Sequence, residues 1–283
     1  MGDPGTDGRR ILIVDDDRGL RLALSTLLTE AGHAVESAGD GPDALTLLQD
    51  RPFDIVLLDI GLPSMSGLDV LARARALDEP PLVIMMTADD TSEALLESVR
   101  REAYHYLRKP FPPNTIVDVV ADATGPDASH AIEVVSAKPE WLELVAPCTL
   151  RVAERIQSFV LHLDAGLGDD VREPVAQAFR ELLTNAIEWG GKLDPNRKVR
   201  ISCVRGKKML FYRIADPGEG FDIDRLRHAA ISNPEGDPIR HLLVREEQGI
   251  RPGGFGLAMT RALVDELIYN EARNEVVFVK YLE

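Results

Sequence analysis

The chain has 283 residues, of which 45% are hydrophobic and 28% are charged, enough to form two domains of ordinary size. Its formal net charge is −15, with 22 acidic against 11 basic residues up to Thr124 and 25 against 21 beyond it. Neither part is basic, so we expect no direct binding to nucleic acid. The chain has no apolar run of the ~20 residues that a membrane span needs, no apolar signal-peptide core at its start, and two widely spaced cysteines. We therefore expect a cytoplasmic protein that does not act at a membrane.

The first half of the sequence alternates apolar strands with amphipathic helices. Strands are predicted at 9–14, 34–38, 55–59, 82–86 and 103–107, and helices at 18–30, 42–49, from about 68, 92–101 and 114–123. Strands that alternate with helices in this way form a parallel sheet covered on both faces. The fold class is therefore α/β, and the first domain is predicted to be a doubly wound, five-stranded, flavodoxin-like domain.

Polar side chains follow the predicted strands at their carboxyl ends. Asp15 and Asp16 follow the first strand, Asp59 the third, Thr87 the fourth and Lys109 the fifth. Chemistry in open α/β sheets collects at this edge. Three clustered carboxylates repel one another unless a cation lies between them, and hard oxygen ligands suit Mg²⁺. A lysine and a hydroxyl beside such a site can hold a phosphoryl oxygen.

Residues 9–123 resemble the receiver domain of two-component response regulators. The segments VDDD, LLDIGLPSMSGLDVL, MMTADD and YLRKPF match the family's motifs in order. The resemblance implies a phospho-acceptor at Asp59 and a metal site formed by Asp15, Asp16, Asp59 and the carbonyl of Gly61. It also implies that Thr87 and Lys109 contact the phosphoryl group and that Tyr106 is the aromatic switch residue. One departure is Glu102, where the family often has glycine.

The second half is predicted to be a separate domain. Residues 1–8 are expected to be disordered, 9–123 to form the receiver, 124–130 to be a polar linker and 131–283 to form the second domain. The pattern predicts strands at 131–135, 198–204, 209–214 and 275–281, one long helix over 141–163 and another from about 169 to 189. This order predicts helices on one side of a mixed sheet.

Three stretches of the second half carry chemistry. In FRELLTNAIEWG, Glu181 and Asn185 are one helical turn apart, so they stack on one face and can hold a hydroxyl and a metal ion. In DPGEGF, Asp216 follows a strand and can accept a hydrogen bond from the exocyclic amine of a base. The glycines of RPGGFGLAM lead into a helix, and backbone amides at such a start favour phosphate.

In this order the three stretches resemble the Bergerat ATP-binding fold, an α/β sandwich, and most closely its anti-sigma-factor serine kinases. The resemblance covers about residues 130–282. It implies that Asn185 ligates Mg²⁺, that Glu181 is the general base and that Asp216 reads adenine. It further implies that the nucleotide pocket is shaped by Gly218, Gly220, Gly254 and Gly256. Residues 228–251 would then form a lid over ATP.

The two resemblances together predict a response regulator whose phosphorylation at Asp59 controls a serine/threonine kinase of the partner-switching type. Its cofactors would be Mg²⁺ and ATP. Its partners would be a sensor histidine kinase or phosphotransfer protein, an anti-sigma antagonist or sigma-like protein, and a second copy in a homodimer. Two alternatives remain open: an ATP-binding module that sequesters its partner without turnover, and a histidine kinase acting on a separate protein. The latter would need a phosphorylatable histidine, and His130 and His162 lack the expected context.

Overall fold

A computed structural model describes residues 8–88, 91–125, 132–164, 166–221, 240–247 and 255–283. The chain divides into two compact units, Met1–Ser129 and His130–Glu283, and each is described here by itself. The expectation of a disordered start at residues 1–8 lies outside the described residues, apart from Gly8. In the described part of the chain, no helix combines the length and hydropathy needed to cross a bilayer.

The first unit is a five-stranded parallel sheet in the order β2-β1-β3-β4-β5. Its elements, in chain order, are β1 (Arg10–Val14), α1 (Arg18–Glu30), β2 (Ala34–Ala38), α2 (Gly41–Asp50), β3 (Ile55–Asp59), α3 (Gly67–Arg75), β4 (Leu82–Thr87), α4 (Ser92–Arg100), β5 (His105–Arg108) and α5 (Pro113–Thr124). These elements occur at the predicted places, and they confirm the predicted fold class of this domain. The strand order reverses between β1 and β3, which is where open α/β sheets bind ligands.

Burial and capping explain why these segments fold as they do. All five residues of β3 are buried, as expected for a central strand covered on both faces. Side chains that accept backbone N–H groups begin the helices, with Asp17 before α1, Asp40 before α2, Ser66 before α3 and Thr91 before α4. Each cap fixes where a helix starts after the preceding strand, and so fixes the loops at the carboxyl edge of the sheet.

The fifth strand begins at His105 and not at residue 103 as predicted, because the chain first makes a left-handed turn. Glu102 has a φ of 57°, a conformation that favours glycine. Its carboxylate pairs with Arg75 at the end of α3. The departure from the family's glycine therefore falls at a position where glycine would be unstrained.

The second unit is a six-stranded sheet in the order β10-β11-β9-β8-β7-β6, with antiparallel pairing between all neighbours. Its elements, in chain order, are β6 (Glu133–Lys138), β7 (Trp141–Pro147), α6 (Leu150–Leu163), α7 (Asp169–Asn185), a π-helical turn (Ala186–Gly190), β8 (Lys198–Arg205), β9 (Met209–Ala215), α8 (Arg240–Glu247), α9 (Gly256–Leu263), β10 (Glu266–Tyr269) and β11 (Glu275–Tyr281). The sheet of this unit is thus wholly antiparallel, and the prediction of a mixed sheet was wrong.

The predicted helix over 141–163 was also wrong in its first part, which is the strand β7. Leu142, Leu144 and Ala146 are buried and alternate with more exposed neighbours, the period of a strand with one covered face. Pro147 ends that strand, and the hydroxyl of Thr149 accepts the N–H of Val152 to begin α6. The proline at 147 was the signal against a continuous helix, since proline breaks a helix interior.

The core of the second unit is an aromatic cluster between the sheet and α7. Tyr212 on β9 stacks on Phe278 of β11 with ring centroids 4.7 Å apart, and its centroid lies 5.6 Å from that of Phe179 on α7. Its buried hydroxyl donates a hydrogen bond to Asp164, the buried residue that ends α6. Helix α7, which carries the candidate catalytic residues, is thereby packed directly on the central strands.

Candidate functional site

The acidic edge of the first unit is formed by the loops that follow β1 and β3. Asp15 and Asp59 are buried and Asp16 is exposed. One carboxylate oxygen from each lies within 4.8 Å of the other two, close enough for a single ion to bind all three. Oxygen ligands of this kind fit Mg²⁺, so the residues present suit the metal that the sequence predicts. The backbone N–H of Asp17 holds the Asp15 carboxylate in place at 2.9 Å.

Lys109 supplies the positive charge of this site. Its Nζ lies 2.6 Å from Asp15 Oδ2 and 3.1 Å from Asp59 Oδ2. Burial raises the pKa of Asp15, and the hydrogen bond from Lys109 opposes that rise. Burial alone would lower the pKa of Lys109, but the hydrogen bond to Asp15 and the charge of Asp59 outweigh it, so the lysine pKa is raised and the ammonium stays charged.

Thr87 and Tyr106 occupy the neighbouring strand positions. Thr87 is the last residue of β4, and its carbonyl accepts the N–H of Lys109 at 2.7 Å, which joins the ends of β4 and β5. Tyr106 lies on β5 opposite Met85 and is buried. Gly61 follows β3, and a Cβ added to it would lie 3.8 Å from Asp59 Oδ2, so its backbone is beside the carboxylate. The first unit therefore brings the predicted acids, Gly61 and Lys109 together at one edge of the sheet, where β4 ends at Thr87, whereas Tyr106 lies within β5.

Two further contacts at this edge were missed by sequence reasoning. A Cβ added to Gly67 would collide with the carbonyl oxygen of Asp59, so the start of α3 needs glycine to approach the strand end. The guanidinium of Arg21 donates a 2.5 Å hydrogen bond to the Asp15 carbonyl. The glycine could have been found from its place after a proline turn, whereas nothing in the sequence marked the arginine.

In the second unit, Glu181 and Asn185 lie on α7 beneath the start of α9. A Cβ added to Gly256 would collide with Glu181 Oε2 and would lie 3.9 Å from Asn185 Nδ2. The glycine thus allows the first turn of α9 to reach both polar side chains. A carboxylate and an amide at the start of a helix can together hold a nucleophile, a metal ion and a phosphate.

Asp216 follows β9 and lies between two glycines. A Cβ added to Gly190 would collide with the Asp216 carboxylate, and one added to Gly218 would lie 2.7 Å from its Oδ1. That Oδ1 accepts the N–H of Gly218 at 2.7 Å. Burial raises the pKa of Asp216, opposed by this hydrogen bond and by the charge of Arg197. Gly190 closes the π-helical turn after α7, so one continuous segment carries Glu181 and Asn185 and also contacts Asp216.

Of the two remaining glycines predicted to shape the pocket, the structure describes Gly220 but not Gly254. Gly220 has a φ of 85°, and a Cβ there would collide with the carbonyl oxygen of Ala272, so only glycine fits. Gly254 lies outside the described residues. Of the predicted lid over 228–251, only 240–247 is described, and it forms α8.

Comparison with known proteins gives a result for each unit. Residues 11–121 match the family described as the response regulator receiver domain. Residues 146–280 match the histidine kinase-like ATPase domain. The DNA-binding response regulator MtrA of Mycolicibacterium paratuberculosis is 32% identical over 182 residues, covering 64% of this chain and 80% of MtrA. MtrA of Mycobacterium tuberculosis is likewise 32% identical, and the match covers 64% of this chain and 78% of that MtrA.

One solved structure is also similar to part of this chain. The receiver domain protein (CheY-like) of Methanospirillum hungatei is 30% identical and covers 41% of this chain and 93% of its own, with a TM-score of 0.40. The chain matches the two MtrA proteins over most of their length, and it therefore belongs to the response regulators. Its second unit contains a histidine kinase-like ATPase domain.

Proposed function

We propose that this response regulator controls an ATP-dependent protein serine/threonine kinase of the anti-sigma partner-switching type. The observation that carries the proposal is the segment from Glu181 to Gly190. It brings a carboxylate and an amide to the start of α9 and contacts Asp216 at its other end. The proposed base and metal ligand therefore lie on one helix, and the terminal turn of that helix contacts the proposed adenine reader, within a domain that matches the histidine kinase-like ATPase family.

The proposed reaction transfers the γ-phosphoryl group of ATP to a hydroxyl of the partner. Glu181 accepts the hydroxyl proton while the hydroxyl oxygen bonds to the γ-phosphorus, and the bond to the β,γ-bridging oxygen breaks to release ADP. Asn185 would hold Mg²⁺, which neutralises charge on the phosphates when bound. Asp216 accepts a hydrogen bond from the exocyclic amine of adenine, and the backbone amides at the start of α9 face the phosphates.

The first unit supplies the proposed control. A sensor histidine kinase or phosphotransfer protein would donate a phosphoryl group to Asp59, with Mg²⁺ held by Asp15, Asp16 and the Gly61 carbonyl. Lys109 and Thr87 would contact the phosphoryl group. Tyr106 would then change its orientation and alter the surface beside β5. Homodimerisation through the receiver is one way for this change to reach the kinase.

The Glu181 carboxylate weighs against the sequestering module, and the setting of the histidines weighs against the histidine kinase. A module that only sequesters its partner has no use for a base beside Asn185. For a histidine kinase, His130 lies outside the described residues, and the ring Nδ1 of His162 lies 2.6 Å from the Ser158 carbonyl within α6. His162 is thus engaged by its own helix.

The test is phosphorylation of a captured partner by the full chain. Proteins that co-purify with the chain from its native cell are incubated with γ-labelled ATP and Mg²⁺. We expect label on serine or threonine of one protein, a loss of at least about 100-fold with Glu181→Gln, and retained ATP binding by that variant. Unchanged labelling by Glu181→Gln would refute the kinase mechanism, and ATP binding without labelling would favour sequestration.

A further inference from the structure

Two side chains from outside the Asp216 turn hold that turn in place. Arg197, in the loop before β8, donates from Nη2 to the carbonyl of Pro217 at 2.5 Å. Asn274, just before β11, donates from Nδ2 to the carbonyl of Gly218 at 2.9 Å. Both carbonyls belong to residues that directly follow Asp216. The turn is therefore fixed at two consecutive peptide groups by side chains from two separate loops.

Asn274 contacts the turn a second time through its backbone. Its carbonyl accepts the N–H of Asp216 at 2.8 Å. Its own position is fixed by Asn270, whose Oδ1 accepts the Asn274 N–H at 3.1 Å and whose Nδ2 donates to Asn274 Oδ1 at 2.8 Å. The tight turn between β10 and β11 thus holds Asn274 rigidly against both ends of the Asp216 turn.

Arg197 contributes a charge as well as a hydrogen bond. Its guanidinium lowers the pKa of the Asp216 carboxylate against the effect of burial. It also lowers the pKa of the buried Cys148 thiol, which burial raises to about 11. Both groups therefore lie within its electrostatic reach. A single arginine thus favours the ionised form of the carboxylate and holds the peptide group beside it.

These contacts leave the carboxylate little freedom to move. Oδ1 is committed to the N–H of Gly218, and among the described residues no hydrogen bond is made to Oδ2. A carboxylate whose orientation is fixed in this way can accept further donors from only a limited range of directions. Adenine offers its exocyclic amine there, whereas guanine has a carbonyl oxygen at the same ring position, which a fixed carboxylate repels.

We propose that Arg197 and Asn274 are positioning residues that set the preference of this site for adenine, by fixing the direction in which Asp216 accepts a hydrogen bond. The inference rests on the proposed function, because it concerns the same nucleotide site. Without the hydrogen bond from Arg197 or from Asn274 the turn can shift, and the Asp216 carboxylate can then accept hydrogen bonds from the N–H donors of guanine. Variants that lack either hydrogen bond should therefore lose discrimination between adenine and guanine, but they should still bind the triphosphate.

The test compares ATP and GTP binding by calorimetry on the full chain with Mg²⁺. Asn274→Asp keeps the size and the acceptor for Asn270, but it replaces the donor to Gly218 with a negative charge beside the Asp216 turn. Arg197→Met removes the donor to Pro217 and the charge, and Arg197→Lys restores the charge. The matched control is Arg200→Met, at an exposed arginine that pairs with Glu143 at 2.7 Å.

We expect wild type and Arg200→Met to prefer ATP, and the ratio of GTP to ATP dissociation constants to fall about tenfold in Asn274→Asp and in Arg197→Met. Arg197→Lys should recover part of the ratio. If both variants remain folded by thermal unfolding and weaken ATP and GTP equally, the residues are merely structural and the inference is overturned. If wild type binds neither nucleotide, the proposed function itself fails, and the inference fails with it.

Discussion

Lys109 occupies the space between two carboxylates that a bound Mg²⁺ would also share. Its ammonium group contacts Asp15 and Asp59 at 2.6 and 3.1 Å and so balances part of the charge of three acidic groups. A phosphoryl group on Asp59 would add about −1.5 to −2 charges, by analogy with phosphoserine. Because Lys109 already contacts Asp59, its ammonium group is in reach of a phosphoryl oxygen on that residue.

This arrangement predicts that Asp59 takes up one phosphoryl group from acetyl phosphate, and only with Mg²⁺ present. The carboxylate oxygen bonds to phosphorus and acetate leaves, while the metal and Lys109 stabilise the phosphoryl charge. Intact-mass measurement should show a single added phosphoryl group on the full chain. Asp59→Asn should stay unlabelled, and equal labelling of that variant would exclude Asp59 as the acceptor.

A second prediction concerns Asp164, where the end of α6 meets β9. Burial raises its pKa, while the hydrogen bond from Tyr212 and the charge of Arg205 oppose the rise. The folded state therefore holds the proton more tightly than the unfolded state, whose pKa is about 3.9. The resulting stability is present below the unfolded pKa and is lost as the pH rises through the folded pKa.

We expect Asp164→Asn to make stability less dependent on pH, because asparagine still accepts the hydrogen bond from Tyr212 but does not ionise. The free energy of unfolding of the variant relative to wild type should rise as the pH increases above about 4, by about 1.4 kcal/mol for each unit by which the folded pKa is raised. Denaturation can be followed by tryptophan fluorescence, since both tryptophans, Trp141 and Trp189, lie in the second unit. The exposed Asp170→Asn is the control, and an identical pH trend in both variants would contradict the assignment.

At the scale of elements, the parallel sheet could be predicted because β1, β3 and β4 are short, mostly apolar runs bounded by turns, whereas β2 (AVESA) and β5 (HYLR) carry a weaker signal. The runs fixed the strand ends, and the strand ends fixed where Asp15, Asp59 and Lys109 would meet. The antiparallel sheet was harder, since β7 has one covered face and its apolar residues, followed by those of α6, also fit a helical period. Only Pro147 separated the two.

The contacts that complete the proposed nucleotide site could not be predicted for another reason. Arg197 and Asn274 lie 20 and 56 residues from the carbonyls they hold. Neither belongs to a recurring motif, and an arginine or asparagine in a polar loop is ordinary in composition. Their roles follow from the tertiary approach of two loops to the Asp216 turn, which a linear pattern does not encode.

At the scale of the whole molecule, the receiver is the more acidic part, with 22 acidic and 11 basic residues up to Thr124. Phosphorylation increases this negative charge further. We expect phosphorylation of Asp59 to change the rate of partner phosphorylation by about 5- to 150-fold, the range of a coupling free energy of 1–3 kcal/mol. The sign of the change is an outcome of the measurement.

The measurement uses the full chain before and after treatment with acetyl phosphate, with Asp59→Asn treated in parallel. A change in kinase rate that is absent from Asp59→Asn would support control by the receiver. Rates that agree within about twofold in all samples would show that the kinase, if active, is not switched by this domain.

The π-helical turn at Ala186–Gly190 places Gly190 against Asp216 only because the segment after Asn185 has its present length. Deleting one residue would restore a regular helix and rotate Gly190 by about 100° around its axis. The carboxylate would then face a different residue, and a side chain would occupy its space. Over evolutionary time this stretch can therefore vary by substitution on its outer face, but insertions and deletions within it should be purged from descendants that still use ATP.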